Sequence, residues 1–229
     1  MKTLIISDIH ANVIALEKVW AEESDADMVV CAGDLVDYGV YPRECIEWIM
    51  DKADHVVKGN HDRDVVEAFE NPRTEGELCW RDENATLLEQ RHIDYLKALP
   101  EKLIVDIDGD SYGMTHSFGT GYDIIRSLEA FHEFSDERFS QPLERFIFGH
   151  THRRELHYLS DQKFWLNPGS ISYRRNDDPF RGSHYAVIID GKVSLRSVVY
   201  PVDKLHQKVL ASEVCHSQKS HTLLWWASE

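Results

Sequence analysis

The chain has 229 residues, 42% of them hydrophobic, with 40 acidic against 25 basic residues and a formal net charge of −15. That length and apolar content suffice to bury one full core and exclude overall disorder. The charge argues against a general nucleic-acid or acidic-membrane binder, which gathers Lys and Arg to displace counterions, but it leaves a phosphate substrate open because bound cations reverse the sign of a local site.

The first element is an apolar run, Thr3 to Ser7, too short for a signal peptide, and no segment reaches the ~18 apolar residues of a spanning helix. Cys31, Cys45, Cys79 and Cys215 have neither C-x-x-C spacing nor the density of a disulfide framework, so they read as reduced thiols. A cytoplasmic protein with no membrane attachment is expected.

After the opening strand, Asn12 is placed to cap a helix in which Val13, Leu16, Val19 and Trp20 recur at helical spacing. Met28 to Ala32 reads as a second strand, Pro42 opens a helix carrying Cys45, Ile46, Ile49 and Met50, and His55 to Lys58 reads as a third strand. Strands alternating with helices imply a parallel sheet covered on its faces. Residues 63–99 form a long, charged, mostly helical stretch, either a lid or a pair of helices covering a sheet face. Beyond it, Lys102 to Ile107 with Ser111 to Thr115, and His184 to Ile189 with Val193 to Tyr200, flank Asp-Gly turns and read as hairpins, with short strands at Arg145 to Phe148 and Lys163 to Leu166 between them. One α/β domain over 1–200 fits this order, with 201–229 a C-terminal helical extension whose Trp225-Trp226 pair packs back on the body or makes a subunit contact.

Five of these strands end in polar, ligand-capable residues: Ser7-Asp8-Ile9-His10, Gly33-Asp34, Gly59-Asn60-His61-Asp62, Thr115-His116-Ser117 and Gly149-His150-Thr151-His152. Open α/β sheets bind ligands beyond the carboxyl ends of their strands. Residues two apart in an extended segment point the same way, so Asp8 with His10, and His150 with His152, can each grip one ion. Oxygen and nitrogen donors without thiolate suit Mn, Fe, Zn or Ni, and a carboxylate such as Asp34 can bridge two of them. The glycines before Asp34, Asn60 and His150 allow close backbone approach. Singly each residue has another reading: Asp8 as a helix N-terminal acid, Asn60 as a turn residue, His116 as a core histidine, His150 and His152 as solvated loop imidazoles. Their joint order favours a metal centre.

In that order D-x-H, G-D, G-N-H-D, H and G-H-T-H resemble the calcineurin-like metallophosphoesterase superfamily. The likeness spans residues 3 to about 172, and Asn167-Pro168-Gly169-Ser170 is similar to a segment of its compact bacterial and archaeal phosphodiesterase-like branch. The resemblance implies a four-layer α/β/β/α sandwich of two mixed β-sheets flanked by helices, with two metal ions. Asp8, His10, Asp34 and His152 would hold one, and Asp34, Asn60, His116 and His150 the other. His61 would contact the phosphate and assist the leaving group, with Asp62 orienting it. Two cations roughly 3.5 to 4 Å apart clamp a phosphoryl group and lower the pKa of a water towards about 7, which supplies the attacking hydroxide.

One departure bears on substrate. Protein serine/threonine phosphatases and symmetrical dinucleoside tetraphosphatases of the superfamily usually carry G-D-x-x-x-R-G, whereas this chain has Gly33-Asp34-Leu35-Val36-Asp37-Tyr38-Gly39. The missing arginine weakens a phosphoprotein assignment and leaves Arg63, Arg174 or Arg175 to fork a phosphate. Asp37 is either a partner of a histidine or a cap of the following turn. Tyr38, Trp80 and Tyr122 are candidates to stack on a nucleobase. The expected enzyme hydrolyses phosphodiester or nucleotide-type phosphate bonds in a small substrate, with a dinucleoside polyphosphate hydrolase, a protein phosphatase or a non-enzymatic scaffold on the same fold as alternatives. A nuclease fits the metals but not the charge.

Overall fold

The computed structural model describes residues 1–119, 121–172 and 175–226. Two five-stranded mixed sheets lie face to face among these residues. The first has β1 (Lys2–Ile6) at its centre, parallel to β2 (Met28–Cys31), which is parallel to the two-residue β3 (His55–Val56). On the other side of β1, β9 (Ser183–Ile189) and β10 (Lys192–Val198) run as an antiparallel hairpin. The second sheet orders β4 (Lys102–Ile107), β5 (Asp110–Thr115), β6 (Arg145–Ile147), β8 (Phe164–Asn167) and β7 (Glu155–Tyr158), with β5, β6 and β8 parallel.

Side-chain alternation along each strand separates three cores. Ile5, Val30, Ala186 and Ile188 of the first sheet meet Ile107, Met114, Ile147, Phe164 and Leu166 of the second between the sheets. Leu4, Ile6, Val29, Cys31 and Val187 point the other way, towards helices α1 (Val13–Glu22), α2 (Pro42–Lys52), α3 (Asn60–Glu70), α4 (Trp80–Leu87) and α5 (Gln90–Ala98). Phe146, Phe148 and Trp165 pack under Phe131 and Phe134 of α6 (Leu128–Arg138). Strands buried on both faces must be apolar at successive positions, which is why β1 and β2 read as continuous runs. The result is the expected four-layer α/β/β/α sandwich.

Local signals account for most element ends. Asn12 accepts from Ala15 N at 3.1 Å and caps α1, and Pro42 takes the first turn of α2. Asp108-Gly109 and Asp190-Gly191 all have positive φ, the backbone of tight type I′ hairpins. Two elements lacked a sequence pattern clear enough to read: α6, whose buried apolar residues are only Phe131 and Phe134, and β7, a half-buried edge strand. In the 63–99 stretch Trp80, Ile93 and Leu96 are fully buried in the core over the first sheet, so these helices form the cover of a sheet face. Beyond β10, α7 (Asp203–Ala211) buries Leu205 and Val209, and Trp226, directly after α8 (His216–Trp225), is buried in the same core. Among the described residues no helix is long and apolar enough to cross a membrane.

Candidate metal centre and its surroundings

The parallel strands β1, β2, β3, β5, β6 and β8 end along one edge of the sandwich, and the loops that follow them are stitched together. Asp8 N donates to Gly33 O at 2.9 Å, Gly149 N to His116 O at 2.9 Å, and Ile171 N to Ser7 O at 3.1 Å. The Asn167-Pro168-Gly169-Ser170 segment ties two of these loops: Asn167 Nδ2 donates to Gly149 O at 2.6 Å and Ser170 Oγ to Asp8 O at 2.8 Å.

Two side-chain groups converge there. In the first, the Asp8, His10 and His152 donor atoms lie within 4.8 Å of one another, with His152 Nε2 3.2 Å from Asp8 Oδ1 and 3.1 Å from His10 Nε2. In the second, Asp34, His116 and His150 converge equally, His116 Nε2 lying 3.0 Å from Asp34 Oδ2. Asn60 Oδ1 joins them at 3.1 Å from His116 Nε2 and 2.9 Å from His150 Nδ1. His150 N donates to the Asp8 carboxylate at 3.1 Å and so links the groups.

The backbone that aims these side chains differs from the extended segments expected. Asp8, His10, Asp34, His150 and His152 have φ between +47° and +67°, in the left-handed region that non-glycine residues seldom enter. The pairing of Asp8 with His10, and of His150 with His152, therefore comes from left-handed loops and not from strand alternation. Such backbone carries a cost of order 1–3 kcal/mol per residue and gathers at functional sites. Close approach of chains completes the centre: a Cβ on Gly59 would stand 2.0 Å from Asp34 Oδ1 and 2.3 Å from Asp34 N.

The donor set fits cations. His116 Nδ1 lies 2.7 Å from Ala32 O and His10 Nδ1 3.2 Å from Val36 O, contacts that fix each Nδ1 as the protonated nitrogen and turn Nε2 inward. Asp34 Oδ2 is buried and accepts no well-formed hydrogen bond, although His116 is near. Burial alone would raise the Asp34 carboxyl, but His116, His61 and His10 hold it far below the ordinary carboxylate range. Burial opposes charge on His116 too, and Asp34 overrides it, lifting the imidazole to about 10. His10 goes the other way, down to about 3, through burial and the neighbouring His152 and His61. Two buried carboxylates thus draw in positive charge, which a metal supplies in place of a proton.

Around the centre, His61 Nδ1 lies 2.8 Å from Asp37 Oδ2. The orienting carboxylate is therefore Asp37, a correction to the role expected of Asp62. Asp62 instead accepts the backbone N–H of Leu35 (2.8 Å), Gly59 (2.9 Å) and Asp34 (3.1 Å), as an acid in the first turn of α3. The Tyr38 ring packs 4.6 Å from His61 and 5.0 Å from His10. Arg63 is directed to Glu101 at 3.1 Å on the surface, Arg174 lies outside the described residues, and Trp80 is buried in the core and offers no stacking face. Tyr122, 76% exposed, stacks on His150 with centroids 4.9 Å apart and planes at 11°.

Two supporting residues had escaped the sequence reading. Arg81 Nε stands 3.7 Å from Asp37 Oδ2 and its Nη1 2.8 Å from Asp64. Asn84 accepts from Asp37 N at 3.0 Å and donates to Gly39 O at 2.9 Å, fixing the loop that carries Asp37 and Tyr38. Both reach the site from α4, a placement set by helix packing and carried by no local motif.

A model of the calcineurin-like phosphoesterase superfamily domain matches residues 1–190. The chain is 26% identical over 232 residues to the uncharacterized protein MJ0912 of Methanocaldococcus jannaschii, covering 92% of each. Its structure is similar to that of a metallophosphoesterase from Sphaerobacter thermophilus (TM-score 0.77, 23% identity, 99% of each chain). It is also similar to that of a putative diadenosine tetraphosphatase (TM-score 0.56, 17% identity, 86% of this chain and 93% of the other). At these identities the structural likenesses establish the fold. The family match over most of its length makes the chain a member of the calcineurin-like phosphoesterase superfamily, a metallophosphoesterase that hydrolyses phosphate esters.

Proposed function

We propose that the protein hydrolyses phosphodiester or nucleotide-type phosphoanhydride bonds in small substrates, using two transition-metal ions drawn from Mn, Fe, Zn or Ni. The observation that carries this reading is the pair of adjacent donor groups, linked by His150 N on the Asp8 carboxylate, with a buried Asp34 Oδ2 that lacks a well-formed hydrogen bond. Asp8, His10, Asp34 and His152 would hold one ion, and Asp34, Asn60, His116 and His150 the other. Bound cations supply polarisation of the phosphoryl oxygens and acidify water.

The remaining work belongs to the chain. His61, fixed through Nδ1 by Asp37, presents Nε2 to the leaving oxygen and donates the proton that oxygen needs as its bond to phosphorus breaks. Tyr38 packs against the rings of His61 and His10 and limits their movement. Asp62 holds the Asp34 and Gly59 loops together. The catalytic unit is residues 1–200, and unpaired cysteines suit a cytoplasmic setting.

The test is turnover of a phosphomonoester, a bis-aryl phosphodiester and a dinucleoside polyphosphate by metal-stripped protein with Mn added back, beside Asp34→Asn. Turnover that requires metal and is lost in Asp34→Asn supports the reading. Equal turnover by Asp34→Asn, or none by wild type carrying stoichiometric metal, counts against it and favours a scaffold.

A further inference from the structure

Beside the centre lies a groove of about 430 Å³, the size of a small-ligand site. Its walls include Tyr122, Thr151, Arg126, Arg153 and Arg175, with Glu155 the acidic residue among them. Three guanidinium groups around one groove stand out in a chain of net charge −15.

The groove adjoins the centre through two residues. Thr151 sits between His150 and His152, and Tyr122 covers His150 with its ring. Arg175 Nη1 donates to Thr151 O at 2.8 Å, which anchors that arginine against the same loop. Arg175 and Arg153 also share the carboxylate of Asp177. Arg126 is exposed and has no ion pair among the described residues. Arg126 therefore brings to the groove a positive charge that pairs with no carboxylate among the described residues.

We propose that this groove is a second phosphate subsite, so that the preferred substrate carries another phosphoryl group beyond the one being cleaved, as in a nucleotide-like polyphosphate. The inference rests on the phosphoesterase reading for the first phosphate and extends it. Arginine's planar fork matches phosphate oxygens. A long polyanion would have to cross the acidic remainder of the surface, whereas a small molecule need only reach the groove. The exposed Tyr122 ring offers an aromatic face to a base at the groove's mouth.

Two measurements test it on the full chain with Arg126→Ala/Arg153→Ala. Inorganic pyrophosphate titrated into metal-stripped protein should bind saturably to wild type and about tenfold or more weakly to the double variant, the loss expected of charged hydrogen bonds. With metal restored, kcat/KM for a dinucleoside polyphosphate should fall by about tenfold or more in the variant, while that for a bis-aryl phosphodiester, which has no second phosphate, changes by less than about twofold. Equal pyrophosphate binding by the two proteins, or equal losses on both substrates, overturns the subsite. If the loaded wild type hydrolyses neither substrate, the hydrolase reading fails, and the pyrophosphate comparison still decides the groove.

Discussion

Asp37 Oδ2 lies 2.8 Å from His61 Nδ1, and the Arg81 guanidinium stands 3.7 Å behind the same oxygen. A carboxylate placed this way selects the tautomer and angle of the ring and leaves Nε2 free, the atom that the proposed mechanism uses. His61→Ala should lower kcat by about 10²–10⁴ on a substrate with a poor leaving group and by much less on an aryl ester whose leaving oxygen needs no proton. Asp37→Asn, which keeps the shape, should lose about 10- to 100-fold on the poor leaving group. Metal content should be unchanged in both. Equal losses on good and poor leaving groups would show that His61 acts otherwise than as the proton donor.

How much of this was legible in the sequence follows from how local each cause is. Asp8, Asp34, Asn60, His116 and His150 follow strands by one to four residues, and β-strand runs and glycines mark where strands end, so these converging residues could be picked out. The left-handed backbone at Asp8, His10, His150 and His152 could not, because nothing in those side chains demands it; the crossing loops impose it. Asp37 was visible as a carboxylate near the motif, but its partner depended on where α3 starts. With α3 beginning at Asn60, Asp62 falls in the first turn and is drawn to backbone N–H groups, which frees His61 for Asp37. Arg81 and Asn84 arrive from α4, about forty-five residues further along the chain than Asp37, through packing of Trp80 and Ala85 that no local pattern reports.

Gly59 sits where α3 begins beside the Asp34 loop, and a methyl group there would stand 2.0 Å from Asp34 Oδ1. The neighbour is held by Asp62 and by His61 N at 2.8 Å, so it has little room to yield. Gly59→Ala should cost about 1–3 kcal/mol of stability and reduce metal retention, because the same displacement moves Asp34 and Asn60 together. Urea unfolding with metal analysis on the dialysed protein checks both; a stable variant with full metal would show that the loops adapt.

Trp226 is 1% exposed, and its Nε1 donates to Ser172 O and Oγ at 3.1 Å. Ser172 Oγ in turn accepts from Asn12 Nδ2 at 3.1 Å, next to the loop of Asp8 and His10. The C-terminal helices are thereby joined to the base of the centre. Trp226→Ala should destabilise by about 3–5 kcal/mol, and Trp226→Phe, which keeps most of the volume and loses the donor, by about 1–3 kcal/mol. A thermal midpoint unchanged in Trp226→Ala would show that this helix is dispensable to the fold.

Glu23, at the end of α1, is 1% exposed and gathers three adjacent strands of the first sheet. It accepts from Arg196 Nη1 on β10 at 2.7 and 2.9 Å and from Tyr185 Oη on β9 at 2.8 Å, and pairs with Lys2 Nζ on β1 at 2.8 Å. Burial would raise its carboxyl, but the bonds from Lys2, Arg196 and Tyr185 outweigh that and hold it below the ordinary value. A carboxyl lowered on folding binds its proton more readily in the unfolded chain. Its contribution is therefore complete above the unfolded value of about 4.3 and is lost as pH falls through the lower folded value. Glu23→Gln should cost about 1.5–3 kcal/mol at neutral pH, and the gap to wild type should close as the pH is lowered below about 4. Urea unfolding of both proteins across that range decides it: a gap that stays constant into acid would mean that Glu23 contributes shape and packing, with its charge giving no net stabilisation.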